Sequence, residues 1–455
     1  MKATRVNDNN TNGFNKTLKW VFLQMTSVAG NSNKFVLLEL QENDNNEYRI
    51  YSETGRVGSD PAHWVRVGYS SLQSAESDFN KIVAEKTSGK RKDASGNSEA
   101  YYIVDVVSPS FGSDNIRSTI KTTTKNDVPS GLFQQIKDSQ IRNLLNKLLK
   151  ANKHSLSLSS NITFNVNGSA ETAFGPVTLE HIQEAREILT NIKNSIKGKF
   201  DSISDVPASL IKMFNKYFSY IPRSFNSRKI SLDDLILEDS DFIKEHEMLD
   251  QLEAVISIND TNDSEEIELP FTMEKASEKD SKTIIQAIEK SRKHRSLNEW
   301  KPVNVYKVEI KEERKQFFKK NESLKGEEID LFHGTDSSNI LAILTKGLIV
   351  PPVSAPNVTG RMFGNGIYAA SSSTKALNYS AGYWNGSRHN DSIFMFVVRF
   401  SMGKVYNCKR ALPSGTPKGY NSIFAQGGAD LVNDEYIVPE TSQCSIRYMV
   451  EFKKN

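Results

Sequence analysis

Four short clusters between Leu331 and Val438 hold the residue types that do chemistry. They are Leu331-Phe332-His333-Gly334-Thr335, Gly364-Asn365-Gly366-Ile367-Tyr368, Lys375-Ala376-Leu377-Asn378-Tyr379 and Asn433-Asp434-Glu435-Tyr436-Ile437-Val438. Each sets polar or aromatic side chains in or beside an apolar, β-branched run, which is how a fold presents groups at strand ends and turns. Glu435, next to Tyr436-Ile437-Val438, is costly if buried without a partner, so it marks either an exposed strand end or a carboxylate held for a task. Tyr368 and Tyr379, near a glycine turn, supply flat walls for a planar ring. His333 taken alone reads as a structural histidine. Together these parts suit a flat cationic heterocycle carried on a ribose.

Other chemistries fit less well. No glycine-rich phosphate loop with a lysine occurs, and Gly364-Asn365-Gly366 lacks the third glycine and the strand-then-helix setting of a dinucleotide fingerprint. The 2 cysteines and 7 histidines show no metal-ligand spacing, so no metal is expected. Spacing leaves a Ser-His-Asp set open, but no nucleophile-elbow pattern is present.

The elements that must position these clusters fill a long chain. At 455 residues, roughly two to four domains are expected. Hydrophobic residues make up 37% and charged residues 25%, a water-compatible globular balance. A net charge of +3 is too slight to declare a nucleic-acid surface. Cys408 and Cys444 cannot form a disulfide framework, so a reducing compartment is expected. The first ten residues lack the apolar stretch of a signal peptide, and no run of ~18 apolar residues occurs, so no membrane partner is expected.

In chain order, residues 1–18 read as a mobile arm. Residues 19–110 read as a small antiparallel β domain with one helix. Phe35–Leu40 and Tyr48–Tyr51 flank the turn cluster Asn43-Asp44-Asn45-Asn46, Ser74–Lys86 has helical spacing, and Tyr101–Val107 is a buried strand. Residues 111–127 are a linker rich in Ser, Thr and Lys. Residues 128–258 read as an all-α bundle, with Thr178 as the N-cap of one helix. Residues 259–455 open with an acidic stretch and contain the four clusters.

These residues resemble a known family. His333, Tyr368 and Glu435 match the His-Tyr-Glu signature of the poly(ADP-ribose) polymerase catalytic domain. Asn339, Gly347-Leu348, Thr359-Gly360, Met362-Phe363-Gly364, Lys375, Asn378-Tyr379 and Lys418-Gly419 match in order around it. Upstream, Gly175-Pro176, Tyr220-Ile221-Pro222 and Glu247-Met248-Leu249-Asp250 resemble the family's helical regulatory domain. Thr54-Gly55-Arg56 with its strands and helix resembles a WGR domain whose Trp is replaced. The layout is that of the short DNA-break-dependent members without zinc fingers.

The resemblance implies a multidomain α+β chain ending in a mixed α/β catalytic domain built on antiparallel sheets, the diphtheria-toxin-like ADP-ribosyltransferase fold. It implies an enzyme that uses NAD as substrate, releases nicotinamide, and transfers ADP-ribose to protein acceptors, itself included, on engaging damaged DNA ends. Gly334 and Thr335 would bond the nicotinamide carboxamide, with Tyr379 and Tyr368 on either side of the ring. His333 would hold an adenosine-ribose hydroxyl, Asn339 would face adenine, and Arg361 would meet the pyrophosphate. Glu435 would bond the nicotinamide ribose and draw the acceptor's proton, and Met362 would lie on the acceptor side, favouring chain elongation. Arg56, with Trp64 as replacement platform, would meet DNA.

The chain departs from the family pattern at Ala376, Ile349 and Asn365, where a carboxamide contact, an adenosine clamp and a lysine are expected. Single transfer of ADP-ribose and a catalytically weak DNA-end scaffold remain the rival readings. The compartment would be nuclear in a eukaryote and nucleoid-associated cytoplasm in a bacterium.

Overall fold

The computed structural model describes residues 2–6, 13–14, 16–27, 32–56, 62–89, 91–92, 98–99, 101–104, 133, 136–160, 162–164, 170–172, 175–223, 231–260, 269–293, 297–350, 362–382 and 391–454. Two units emerge, one from residues 1–126 and 157–237, the other from 127–156 and 238–455.

The first unit holds a six-stranded antiparallel sheet made of β1 (Thr4–Val6), β2 (Lys16–Ser27), β3 (Ser32–Glu42), β4 (Tyr48–Arg56), β5 (Ala62–Arg66) and β6 (Tyr102–Val104), in the order β1-β5-β4-β3-β2-β6. Alternation dictates its faces. Leu23, Val36, Leu38, Leu40 and Ile50 turn to one side, where helix α1 (Leu72–Thr87) covers them with Ala75, Phe79 and Ile82. The Ser71 side chain caps α1 by accepting the Ser74 N–H at 3.2 Å. The β3–β4 turn is tied by Asn43, whose Oδ1 accepts the N–H groups of Asn45 and Glu47 at 3.0 and 2.8 Å. Asn46 adopts φ 58° there, a left-handed conformation that Asn tolerates. On the opposite face Phe22 stacks on Phe35, and the buried Arg49 donates to Gln41, which in turn donates to Glu39. Pairing makes that polar row tolerable inside a protein. The expected arm differs: Thr4–Val6 is the edge strand beside β5, and Lys16 already belongs to β2. Backbone groups of an edge strand gain hydrogen bonds there without needing apolar side chains.

Four long helices follow: α2 (Ser139–Ser159), α3 (Leu179–Ser195), α4 (Ala208–Tyr220) and α5 (Asp239–Asp260). Each buries its apolar stripe, for example Ile182, Ala185, Ile188, Leu189 and Ile192 on α3. Thr178 caps α3 as expected, accepting the His181 N–H at 3.2 Å. Within the first unit, α4 packs on β2. The all-α expectation misses a small ribbon, Thr163–Phe164, Ala170–Thr172 and Gly175–Pro176, because strands this short carry no readable period. The expected linker 111–127 lies outside the described residues, as does most of the acidic stretch after 258.

The second unit contains two sheets. Strands β7 (Phe271–Lys275) and β8 (Trp300–Ile310), with helix α6 (Glu278–Lys290) between them, are followed by helix α7 (Lys311–Leu324), β9 (Glu328–Gly334) and helix α8 (Ile340–Lys346). Then come β10 (Ile367–Ala369), helix α9 (Ser373–Ser380), β11 (Ser392–Ser401), β12 (Val405–Cys408), β13 (Ser422–Ala425), β14 (Glu435–Val438) and β15 (Cys444–Lys454). The larger sheet runs β7-β8-β15-β11-β9 and is wholly antiparallel. The smaller runs β10-β14-β13-β12, with β12 and β13 parallel. Phe332 and Ala370 join the two sheets, each amide donating to the other's carbonyl at 2.9 Å. Ile284 and Ile288 of α6 and Leu377 of α9 pack with Val305, Met395, Val450 and Phe452 on one face of the larger sheet. Each fully buried side chain of this kind contributes about 1.5–3 kcal/mol. The sheet junction is therefore a stiff support for whatever its strand ends carry.

Candidate active site

A row of paired residues, Val305, Val450, Met395 and Gly334, crosses the larger sheet and stops at β9's last residue. A Cβ at Gly334 would overlap the carbonyl of Ala376, so glycine lets α9 close against the strand end. The next row, Tyr306, Met449, Phe396 and His333, brings His333 to the opposite face. There the His333 Nδ1–H donates to the Tyr368 carbonyl at 2.8 Å. A carbonyl only accepts, so Nδ1 carries the proton and Nε2 is left as an acceptor. Desolvation lowers the imidazole's pKa, against the opposing pull of that hydrogen bond.

Tyr368 belongs to β10 and pairs with Ile437, two residues along β14 from Glu435. Its phenol donates to the Gly364 carbonyl at 2.6 Å and accepts the Phe363 N–H at 3.1 Å, pinning the preceding turn. Gly364 needs its φ of 76° for that turn. Glu435 opens β14 and is 5% exposed. Its Oε1 lies 2.5 Å from Lys375 Nζ, which also donates to the Asn433 carbonyl at 3.4 Å. Burial pushes the Glu435 carboxyl up, opposed by Lys375, and pushes the Lys375 ammonium down, opposed by Glu435. Separating either partner would leave a buried charge unpaired, so the pair holds together.

Tyr379 is a large aromatic residue left 40% exposed. Desolvation first, then the Glu435 charge, push its phenol up to about 12, so it stays neutral. Thr335 and Asn339 sit together just past the end of β9. The Asn339 amide donates to Thr335 Oγ1 at 3.3 Å and accepts from Gln251 of α5 at 2.7 Å. Gln251 also reaches Ser338 Oγ at 3.2 Å, while Asn152 of α2 donates to the Ser338 carbonyl at 3.2 Å.

The expected site residues thus fall into groups. His333, Gly334, Tyr368 and Glu435 meet at the junction of the two sheets, with Tyr379 close enough to sense the Glu435 charge. Thr335 and Asn339 are bonded to each other, and Asn339 is also held by Gln251 of α5. Met362 is half-buried against Phe363, Ile423, Ala425 and Ile437. Arg361 lies outside the described residues. In the first unit Trp64 is half-buried opposite Ser52, and Arg56 ends β4 opposite Lys34. Sequence reasoning passed over Lys375 as a functional group. Its signal was its position four residues before Tyr379, which puts ammonium and phenol on one helix face.

Chemically, a buried carboxylate with one fixed counter-ion can stabilise positive charge developing on a bound sugar and accept a proton from an incoming hydroxyl. The open ring of Tyr379 can stack a planar leaving group.

Comparison with known proteins identifies the domains that carry these residues. Residues 20–91 match the WGR domain, residues 138–269 the poly(ADP-ribose) polymerase regulatory domain, and residues 278–429 the poly(ADP-ribose) polymerase catalytic domain. The chain is 24% identical to a poly [ADP-ribose] polymerase of Sarcophaga peregrina over 96% of this chain and 46% of that one. It is 22% identical to the protein mono-ADP-ribosyltransferase PARP3 of Homo sapiens, covering 94% of this chain and 86% of that protein. It is 24% identical to poly [ADP-ribose] polymerase 1 of Gallus gallus over 95% and 45% of the two. The chain therefore spans about half the length of the Sarcophaga and Gallus relatives.

Proposed function

The chain belongs to the poly(ADP-ribose) polymerases, carrying their WGR, regulatory and catalytic domains in order, and we propose that it transfers ADP-ribose from NAD to protein acceptors, elongates the chains, and is switched on by broken DNA. The observation that carries this reading is the buried Glu435–Lys375 pair beside the open Tyr379 ring, at the sheet junction that also holds His333 and Tyr368. Nicotinamide stacks on Tyr379, with its carboxamide on Gly334 and Thr335. Glu435 stabilises the oxocarbenium-like ribose as the nicotinamide bond breaks, and takes the acceptor hydroxyl's proton.

The switch is supported by the hold of α5 and α2 on the turn Ser337–Asn339. Asn339, the residue that would face adenine, offers its carbonyl oxygen to Gln251 instead. NAD binding then requires that hold to give way, and engagement of DNA by the WGR domain supplies the trigger.

Incubation with labelled NAD tests the proposal. Labelled protein should accumulate with nicked DNA, fall sharply without it, and vanish in Glu435→Gln. Equal labelling with and without DNA removes the switch. Loss of nicotinamide release altogether, even with DNA, favours the scaffold reading. Single transfer is the second reading, favoured by the 86% coverage of the human relative, which is named a mono-ADP-ribosyltransferase. Product length on a gel separates it from elongation.

A further inference from the structure

Two ion pairs lie side by side next to the proposed centre, their acidic members adjacent in the chain. Lys293 Nζ lies 3.8 Å from Asp434 Oδ2, and Lys375 Nζ lies 2.5 Å from Glu435 Oε1. Asp434 and Glu435 are consecutive, so the two pairs are joined through one peptide unit. The inner pair belongs to the reaction already proposed; the outer pair has no assigned role. We propose that Asp434, braced by Lys293, is a positioning residue that closes the loop delivering Glu435 and keeps Lys375 charged beside it. This rests on the reading of Glu435 as the catalytic carboxylate.

The loop argument is geometric. Between β13 and β14 the chain turns back on itself, with Gly428 N–H donating to the Leu431 carbonyl at 2.7 Å. The base of this loop is closed by a side chain: Asp434 Oδ1 accepts the Gly427 N–H at 2.8 Å. A Cβ at Gly427 would stand 3.0 Å from the Val432 carbonyl and 3.2 Å from Asn433 Cα, so the closure is tight. Asp430 ties the tip down by accepting the Ala411 N–H at 2.7 Å. Asn433, between tip and base, gives its carbonyl to Lys375. A loop closed at both tip and base fixes where β14 starts, and Glu435 is its first residue.

The charge argument follows from the same arrangement. Three charged groups act on Lys375. Glu435 and Asp434 favour its ammonium form, while Lys293 opposes it. Loss of the Lys375 proton would leave the Glu435 carboxylate buried without its counter-ion, at a cost that favours protonating Glu435 instead. A protonated Glu435 can neither stabilise a cationic sugar nor accept a proton. Asp434 therefore helps keep the inner pair ionised, and Lys293 sets how strongly.

Nicotinamide release by the full chain, followed across pH, tests this. Asp434→Asn keeps an oxygen for the Gly427 N–H, so the loop stays closed and only the charge is removed. Its alkaline limb in kcat should move to lower pH by about 0.5–1 unit. Lys293→Ala removes the opposing charge and should move the same limb to higher pH. That shift should be smaller, because the Lys293 side chain is 46% exposed and screened by solvent. KM for NAD should hold in both variants, and Glu435→Gln, run in parallel, should be inactive. Limbs that stay in place, or move in the same direction, overturn the positioning role while leaving the Glu435 reading intact. A fully active Glu435→Gln overturns both.

Discussion

The imidazole of His333 and the main chain of Tyr368 are bonded across the junction of two sheets, Nδ1 to carbonyl oxygen at 2.8 Å. This single contact sets three properties of the histidine. Its tautomer is fixed, its ring plane is held, and its free nitrogen is an acceptor. With its pKa lowered by desolvation, the ring is neutral at physiological pH.

In the proposed NAD complex a neutral His333 would accept a ribose hydroxyl through Nε2, which a protonated ring cannot do. Because the folded pKa is depressed, the neutral ring's contribution to stability is complete above the ordinary histidine range and is lost as pH falls through the folded value. His333→Ala should raise KM for NAD about three- to tenfold, the worth of one hydrogen bond, with a smaller change in kcat. Steady-state kinetics with saturating DNA checks this. Proton-detected NMR of the ring should find Nδ1 protonated at pH 7.

In the proposed complex Tyr379 offers its ring rather than its hydroxyl, since that phenol stays neutral and the residue is 40% exposed. Tyr379→Phe should therefore keep near-normal KM and kcat. Tyr379→Ala should raise KM by roughly tenfold, matching about 1–1.5 kcal/mol of stacking. Equal losses in both variants would move the role from the ring to the hydroxyl. A thermal melt of each variant guards against a folding defect.

Gln251 joins α5 to Ser338 and Asn339 through one amide. Gln251→Ala removes both bonds at a stability cost of about 1–3 kcal/mol. Under the proposed switch, DNA-independent labelling should rise while labelling with DNA stays the same. Asn152→Ala, which frees the Ser338 carbonyl, should act in the same direction. Unchanged basal labelling in both would show that the turn is not what restrains NAD.

Much of this fold could be read along the chain, and the reasons are local. The apolar run Phe35–Leu40 beside its turn cluster, the cap at Thr178 and the helical stripe of α3 are decided within a few residues. What could not be read depends on closure of the sheets. Lys375 and Glu435 are 60 positions apart, and only the placement of α9 against β14 makes them a pair. The overlap that forbids a side chain at Gly334 involves a carbonyl from another element. Gln251 reads as one polar position on an amphipathic helix until Asn339 is brought to it. Periodicity reports burial, and says nothing about which buried polar groups meet.

Glu313 extends the same point to stability. This α7 carboxylate is 6% exposed; its Oε1 accepts the Ile446 N–H at 2.8 Å, while Oε2 is buried without a hydrogen bond against Gly347. Desolvation pushes its pKa up to about 7, opposed by the Ile446 amide and the Ser445 side chain. A carboxyl whose folded pKa lies above the unfolded one stabilises the fold fully below the unfolded value, and that contribution disappears as pH rises through the folded value. Between about pH 4.5 and 7 the wild-type chain should therefore lose stability from this group, on the order of 3 kcal/mol in all. Glu313→Gln keeps an oxygen for the Ile446 amide and cannot ionise. Its melting temperature should match wild type near pH 5 and exceed it at pH 8, with the gap opening through that window. A constant gap across pH would mean that the carboxyl is already ionised in the folded chain at the acid end, leaving packing against Gly347 as the whole difference.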